Sequence, residues 1–269
     1  MAIRTNAVEA GIYLYGITVA QDAVPVEVPG VEKGEVEQIA EGSLAAVVTR
    51  VTTHKIRPQR ANLAAHHHVL RDLADRDAVL PFVFGTIAAG QDELRDILRA
   101  NRDVLLEQLQ RLRGKVEMGL KVFWETANIF EYFVATHQEL EAMRNRLFRP
   151  GRQSTLEERI ELGRLFGALL EQSRRRHTRR VTEALATYCA EIRTVDPGEE
   201  RMIMKLACLV DKDRQQQWEE GVHHAARQFD DHYRFEYNGP WPAYNFAHID
   251  LESGTVERSA AKSARGSER

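Results

Sequence analysis

The groups from which this 269-residue chain could build a metal site or a proton-transfer centre are 10 histidines, two cysteines and 40 acidic side chains. The densest arrangement is His66-His67-His68, and imidazole is a common zinc ligand. Consecutive helical residues point about 100° apart, so the three rings cannot converge on one ion while the helix stays regular. His223-His224 has the same geometry, and no histidine stands three or four residues from another. HExxH and CxxC are absent, and Cys189 and Cys208 each sit among apolar neighbours, the setting of buried free thiols. Gly-x-Ser-x-Gly, Gly-x-x-x-x-Gly-Lys-Ser/Thr and Gly-x-Gly-x-x-Gly are also missing. The adjacent carboxylates Glu157-Glu158 and Asp230-Asp231 suit helix ends and solvent. These patterns predict no catalytic residue, no metal ligand and no cofactor. The alternative is an enzyme assembled from scattered residues such as His66, Arg164 and Asp211. Its sign would be a deep polar pocket holding ionisable groups with displaced pKa values.

Binding chemistry has two better candidates. Seven consecutive residues, Arg174-Arg175-Arg176-His177-Thr178-Arg179-Arg180, wrap every side of a helix. At least one arginine must therefore face inward or toward a second helix, unless the helix lies free of the core. The outward ones are either a solvated face or a dock for an acidic partner segment, since the guanidinium fork matches carboxylates. A net charge of −3 argues against nucleic acid. The second candidate, Gly239-Pro240-Trp241-Pro242-Ala243-Tyr244-Asn245-Phe246, places two prolines and three aromatics in one loop. The prolines restrict their own φ and push Gly239 and Trp241 toward extended geometry. The loop is either a rigid turn whose aromatics plug a core or a preformed aromatic surface for a partner.

The elements that must position these residues are legible as patterns. Residues 11–18 read as a buried strand, residues 36–40 and 44–51 as a hairpin, and Leu63, Leu70 and Leu73 as one helix face. A strand is expected over 79–87, then a helix from Gln91 along Leu94, Leu98, Leu105, Leu109 and Leu112. Val116, Met118, Leu120, Val122 and Trp124 alternate as in a strand, and a helical segment covers 128–148. Ser154 and Glu157 have capping-box spacing. The helix they open reads to about Ile192 along Leu156, Ile160, Gly163, Gly167, Leu170, Val181, Leu185 and Tyr188. At that extent it spans roughly 55 Å and must project or bend. A short strand near 191–195, a strand over 202–210, a helix capped by Asp211 and a half-solvated strand over 232–238 complete the order.

A chain of this length predicts two domains. The fold class expected is α+β: residues 1–113 as a mixed sheet with two helices, and 114–251 as a modified ferredoxin-like domain of βαββαβ order with an inserted helix. Residues 252–269 read as a disordered tail. No apolar run approaches the roughly 18 residues of a membrane span, and no signal peptide is visible, so a soluble cytoplasmic protein is expected.

Two segments together carry a resemblance: Val79-Leu80-Pro81-Phe82-Val83-Phe84-Gly85-Thr86 and Gly239 to Phe246. They are similar, in order and spacing, to the paired hallmarks of the gas vesicle GvpF/GvpL family. Tyr13-Leu14-Tyr15-Gly16-Ile17, His66-x-x-Val69-Leu70 and Gly119-Leu120-Lys121-Val122-Phe123-Trp124 add support, and the likeness covers about residues 10–250. Val83 stands where an arginine is common in the family, so no contact of that arginine is carried over. The resemblance implies a non-enzymatic accessory or minor structural component, located in the cytoplasm and on the gas vesicle. It implies binding to the hydrophobic vesicle shell protein, with other vesicle accessory proteins as further partners, and help in nucleating or assembling the wall. It implies no nucleic acid, membrane or small-molecule substrate. Candidate contact residues are Trp241, Tyr244, Phe246, Phe82 and Phe84, with the core as the competing location for all five.

Overall fold

The structure is a computed structural model that describes residues 11–20 and 27–248. It divides into two compact units, one reaching Glu117 and resuming at Pro240, the other Met118–Gly239. The segment from Pro240 onward, assigned from the sequence to the ferredoxin-like domain, thus clusters with the first unit. Its aromatic side chains and backbone polar groups find partners at His67, Arg111 and Glu117 of the first unit. The expected tail lies outside the described residues.

In the first unit, β1 (Gly11–Val19) is the central strand. It pairs antiparallel with β3 (Leu44–Val51), which pairs antiparallel with β2 (Glu37–Glu41) in the expected hairpin, its turn shortened to Gly42-Ser43 because Glu41 joins the strand. α1 (Arg60–Arg76) follows. The single strand expected over 79–87 is two short ones, β4 (Leu80–Pro81) and β5 (Ile87–Ala88), both antiparallel to β1. The ladder opens after Pro81, which has no amide to donate, and Gly85 at φ 90° turns the chain back. β1 pairs antiparallel with β3, β4 and β5, and β3 antiparallel with β2, so the sheet is antiparallel rather than mixed. The helix expected from Gln91 to Leu112 breaks at Asn101 into α2 (Gln91–Ala100) and α3 (Arg102–Leu112), giving three helices rather than two. The core packs Tyr13, Tyr15, Val47, Val69 and Leu70 with their neighbours, and Phe84 and Tyr244 lie against it half-buried.

The second unit holds most of β6 (Lys115–Trp124), then α4 (Ile129–Thr136) and α5 (Gln138–Leu147) where one inserted helix was expected. α6 (Leu156–Leu185), β7 (Glu191–Val195), β8 (Met202–Asp211), α7 (Gln215–Ala226) and β9 (Tyr233–Trp241) follow. The sheet order is β7-β8-β6-β9, the second, third, first and fourth strands of βαββαβ, as in a ferredoxin-like fold. α6 packs on α4, α5, α7 and β8.

Three local readings shift. The capping box is Thr155 and Glu158, one residue later than expected: the Thr155 hydroxyl accepts from the Glu158 amide at 3.2 Å, and the Glu158 carboxylate accepts from the Thr155 amide at 3.0 Å. α6 buries Leu162, Leu169, Ser173, His177, Val181 and Leu185, whereas Leu156, Ile160, Gly163 and Gly167 of the expected stripe face outward. Asp211 makes no side-chain cap; a 3-10 turn, Lys212–Arg214, leads into α7 instead.

Candidate functional site

β1 delivers Tyr13 and Tyr15, residues of the same side by the period of two, into the layer between the sheet and α1. There they meet His66, which is 1% exposed and faces the core because it shares the α1 stripe with Asn62, Val69, Leu70 and Leu73. The Tyr15 ring stacks on His66 with centroids 5.7 Å apart, and Tyr13 and Phe84 meet it edge-on at 5.7 and 5.6 Å. Both hallmark segments end on this one imidazole.

The Tyr13 hydroxyl, which accepts from the Gly85 amide at 3.3 Å, lies 2.9 Å from His66 Nδ1. Nε2 lies 3.4 Å from the Tyr244 hydroxyl 178 residues away. Burial pushes the His66 pKa down to about 4; the neighbouring His67 adds to this, and the Phe82 backbone opposes it. Burial likewise raises the phenols of Tyr13, Tyr15 and Tyr244. Tyr15 is held separately, accepting from the Val31 amide at 2.8 Å and meeting the Thr49 hydroxyl at 2.9 Å.

The first hallmark is clamped on β1. The Phe82 amide donates to the Tyr15 carbonyl at 2.7 Å, the Leu14 amide to the Thr86 carbonyl at 3.0 Å, and the Thr86 hydroxyl to the Val83 carbonyl at 2.8 Å. Phe82 points inward at 7% exposure, Phe84 is half-buried, and Val83 at the crest is 64% exposed. An arginine at that crest would meet solvent or a partner.

The second hallmark begins as strand, not loop, because β9 continues through Trp241. Gly239 takes φ 132°, a region that residues with a Cβ rarely adopt, rather than ordinary extended geometry. The chain then turns under Glu117, a buried carboxylate that accepts from the Asn245 amide at 2.8 Å and the Asn245 side chain at 2.5 Å. Arg111 donates to the Phe246 carbonyl at 2.6 Å. Nothing in the local sequence pattern singled out Glu117 or Tyr13; an acidic residue inside an alternating apolar strand was the available signal. Phe246 is fully enclosed and Tyr244 half-buried, so the plug reading fits Phe246. A surface role does not fit Phe82 or Phe246. Trp241, tilted over His67 at 6.4 Å, remains 43% exposed.

The three adjacent histidines diverge as helix geometry requires: His66 inward, His67 beneath Trp241, His68 exposed. No cluster of metal-ligating side chains exists among the described residues, and no helix among them is long and apolar enough to cross a membrane. Of the scattered enzyme candidates, His66 belongs to the first unit, while Arg164 lies exposed on α6 and Asp211 ends β8 in the second. The second unit carries a groove of about 920 Å³ along α6, lined by residues that include Arg174, Arg175, Arg179, Asp196 and Glu199. The first carries one of about 420 Å³ beside Asn62 and His68. None of the three candidates lines either groove.

In the arginine run, the inward member is Arg174. It donates to the carbonyls of Glu200 at 2.7 Å and Met202 at 3.2 Å and lies over the Trp124 ring at 5.6 Å. His177 is buried, its Nε2 3.2 Å from the Tyr233 hydroxyl; burial, with Arg176 and Arg180 nearby, pushes its pKa down to about 4. Cys208 is buried and Cys189 half-buried, and neither forms a disulfide.

Comparison with known proteins agrees with the arrangement. The family model described as gas vesicle synthesis protein GvpL/GvpF matches residues 11–248. The chain is similar to gas vesicle protein F of Dolichospermum flosaquae, 26% identical over 89% of this chain and 98% of the relative. It is 28% identical to gas vesicle protein F of Streptomyces sp. (strain CB03234), over 87% and 98% respectively. The crystal structure of the gas vesicle protein GvpF from Anabaena sp. PCC7120 superposes with a TM-score of 0.76 at 25% identity, covering 90% of this chain and 99% of that one.

Proposed function

Because the chain belongs to the GvpL/GvpF family of gas vesicle synthesis proteins, we propose that this gas vesicle-associated protein binds the hydrophobic shell protein in the cytoplasm and helps nucleate or assemble the vesicle wall. An apolar, strand-rich subunit with unpaired edges aggregates unless it is covered, and an accessory protein that covers it must offer apolar surface without aggregating itself. The observation that carries the reading is the exposed indole of Trp241, set on a segment anchored by Glu117, Arg111 and the Gly239 turn. A rigid, half-exposed aromatic loses little side-chain entropy on binding, and such residues dominate interface energies. Val83 adds a second exposed apolar side chain on the other hallmark, and Phe84 and Tyr244 lie half-buried against the core. In this reading the protein is non-catalytic. His66, Tyr13, Tyr15 and Tyr244, which have displaced pKa values in the first unit, are packing groups of its core, and none of them lines either groove.

Capture of the purified shell protein on the immobilised full chain tests this, with Trp241→Ala as the variant and circular dichroism as the control for folding. Capture weakened at least about tenfold supports the docking role. Unchanged capture by the folded variant removes Trp241 from the interface. Absence of capture by the wild type, with normal vesicles in cells lacking the protein, overturns the reading.

A further inference from the structure

α6 carries a line of exposed residues whose basic end, Arg175 and Arg179, also lines the groove beside Asp196 and Glu199. At 100° per residue, Glu157, Glu161, Ala168, Arg175 and Arg179 lie within about 20° of a single line along the helix. All five are exposed. Neither the two glutamates nor the two arginines have a hydrogen-bond or ion-pair partner among the described residues. Arg164 and Gln172 border the same line and are exposed as well. Ile160, Gly167 and Leu156, all exposed, stand roughly 80°, 100° and 120° around the helix from it.

The charges are segregated along the line, acidic toward the N-terminus and basic toward the C-terminus, with Ala168 midway. Glu161 and Arg175 stand equally far from Ala168 on opposite sides, as do Glu157 and Arg179. We propose that a second copy of this chain docks on α6, its own α6 antiparallel and the two-fold axis passing at Ala168. Glu157 then faces Arg179 of the second copy and Glu161 faces Arg175, and symmetry repeats both pairs. Arg164 faces Gln172. A parallel arrangement would set like charge on like charge, so the same pattern selects the orientation as well as the partner. The small side chain of Ala168 at the crossing lets the axes approach to the usual 8–10 Å. The interface goes beyond the proposed shell-protein contact and does not depend on it, since that contact uses the first unit.

Sedimentation velocity of the full chain at about 100 µM tests it. A dimer is expected at low ionic strength, shifting toward monomer as salt screens the exposed pairs. The double variants Glu157→Arg/Glu161→Arg and Arg175→Glu/Arg179→Glu should each weaken self-association at least about tenfold. Mixed in equal amounts, they should restore the dimer mass as a heterodimer. All four positions are exposed, and an unchanged helical circular-dichroism signal confirms folding. A wild type that stays monomeric at low salt, a dimer indifferent to both reversals, or a mixture that stays monomeric would overturn the proposal.

Discussion

Lowering the pH should destabilise the first unit through His66 in particular. A free imidazole titrates near 6.5, whereas in the folded protein burial holds His66 at about 4. Between those values the unfolded chain binds the additional proton, so the stability His66 confers is fully present above about pH 6.5 and is lost as the pH falls through 4. The whole displacement corresponds to about 3 kcal/mol, and about 2 kcal/mol of it is already gone at pH 5. The physical origin is specific. A second ring proton would make both ring nitrogens donors and place a charge in a fully buried aromatic layer. Urea unfolding at pH 7.5 and pH 5.0, followed by circular dichroism, measures the loss in the wild type. His66→Gln cannot titrate, so its loss between the two pH values should be smaller by about 2 kcal/mol, whatever the substitution costs at neutral pH. His177 and the carboxylates contribute equally to both proteins and cancel in the comparison. Equal losses in the two proteins would refute the assignment of His66 as a buried neutral imidazole.

The remaining expectations concern single contacts. Glu117→Gln weakens the clamp on Asn245 and should cost about 1–3 kcal/mol, with faster proteolysis after residue 239 as the local readout; unchanged stability and cleavage would show that the segment is held by packing alone. Gly221→Ala puts a Cβ 2.7 Å from the Tyr188 ring and should cost about 1–3 kcal/mol by overpacking, read as a lowered urea midpoint. Val83→Arg, at a crest 64% exposed, should change stability by less than about 0.5 kcal/mol. A change in shell-protein capture by that variant would place the crest in the interface.

Much of the architecture was legible from local pattern. Alternation along Val116 to Trp124 marked β6, the apolar spacing of Leu63, Leu70 and Leu73 marked α1, and the βαββαβ order matched the observed sheet. Residues further apart were legible only as a resemblance: nothing in the hallmark segments by themselves says that they share His66. Errors arose where two local solutions were nearly equivalent. Ser154 with Glu157 and Thr155 with Glu158 have identical capping spacing, and the structure uses the second.

By itself the amino-acid sequence determined the element types, the lack of familiar catalytic motifs and the family likeness, because helix and strand periods are properties of the backbone and can be read within a dozen residues. Tertiary structure alone decided which stripe of α6 is covered, that residues beyond Pro240 return to the first unit, and that Phe246 is core while Trp241 stays half-exposed. A side chain's burial depends on which distant element arrives to cover it. For Phe246 that cover comes with a chain segment held by Glu117 and Arg111, more than a hundred residues earlier in the sequence.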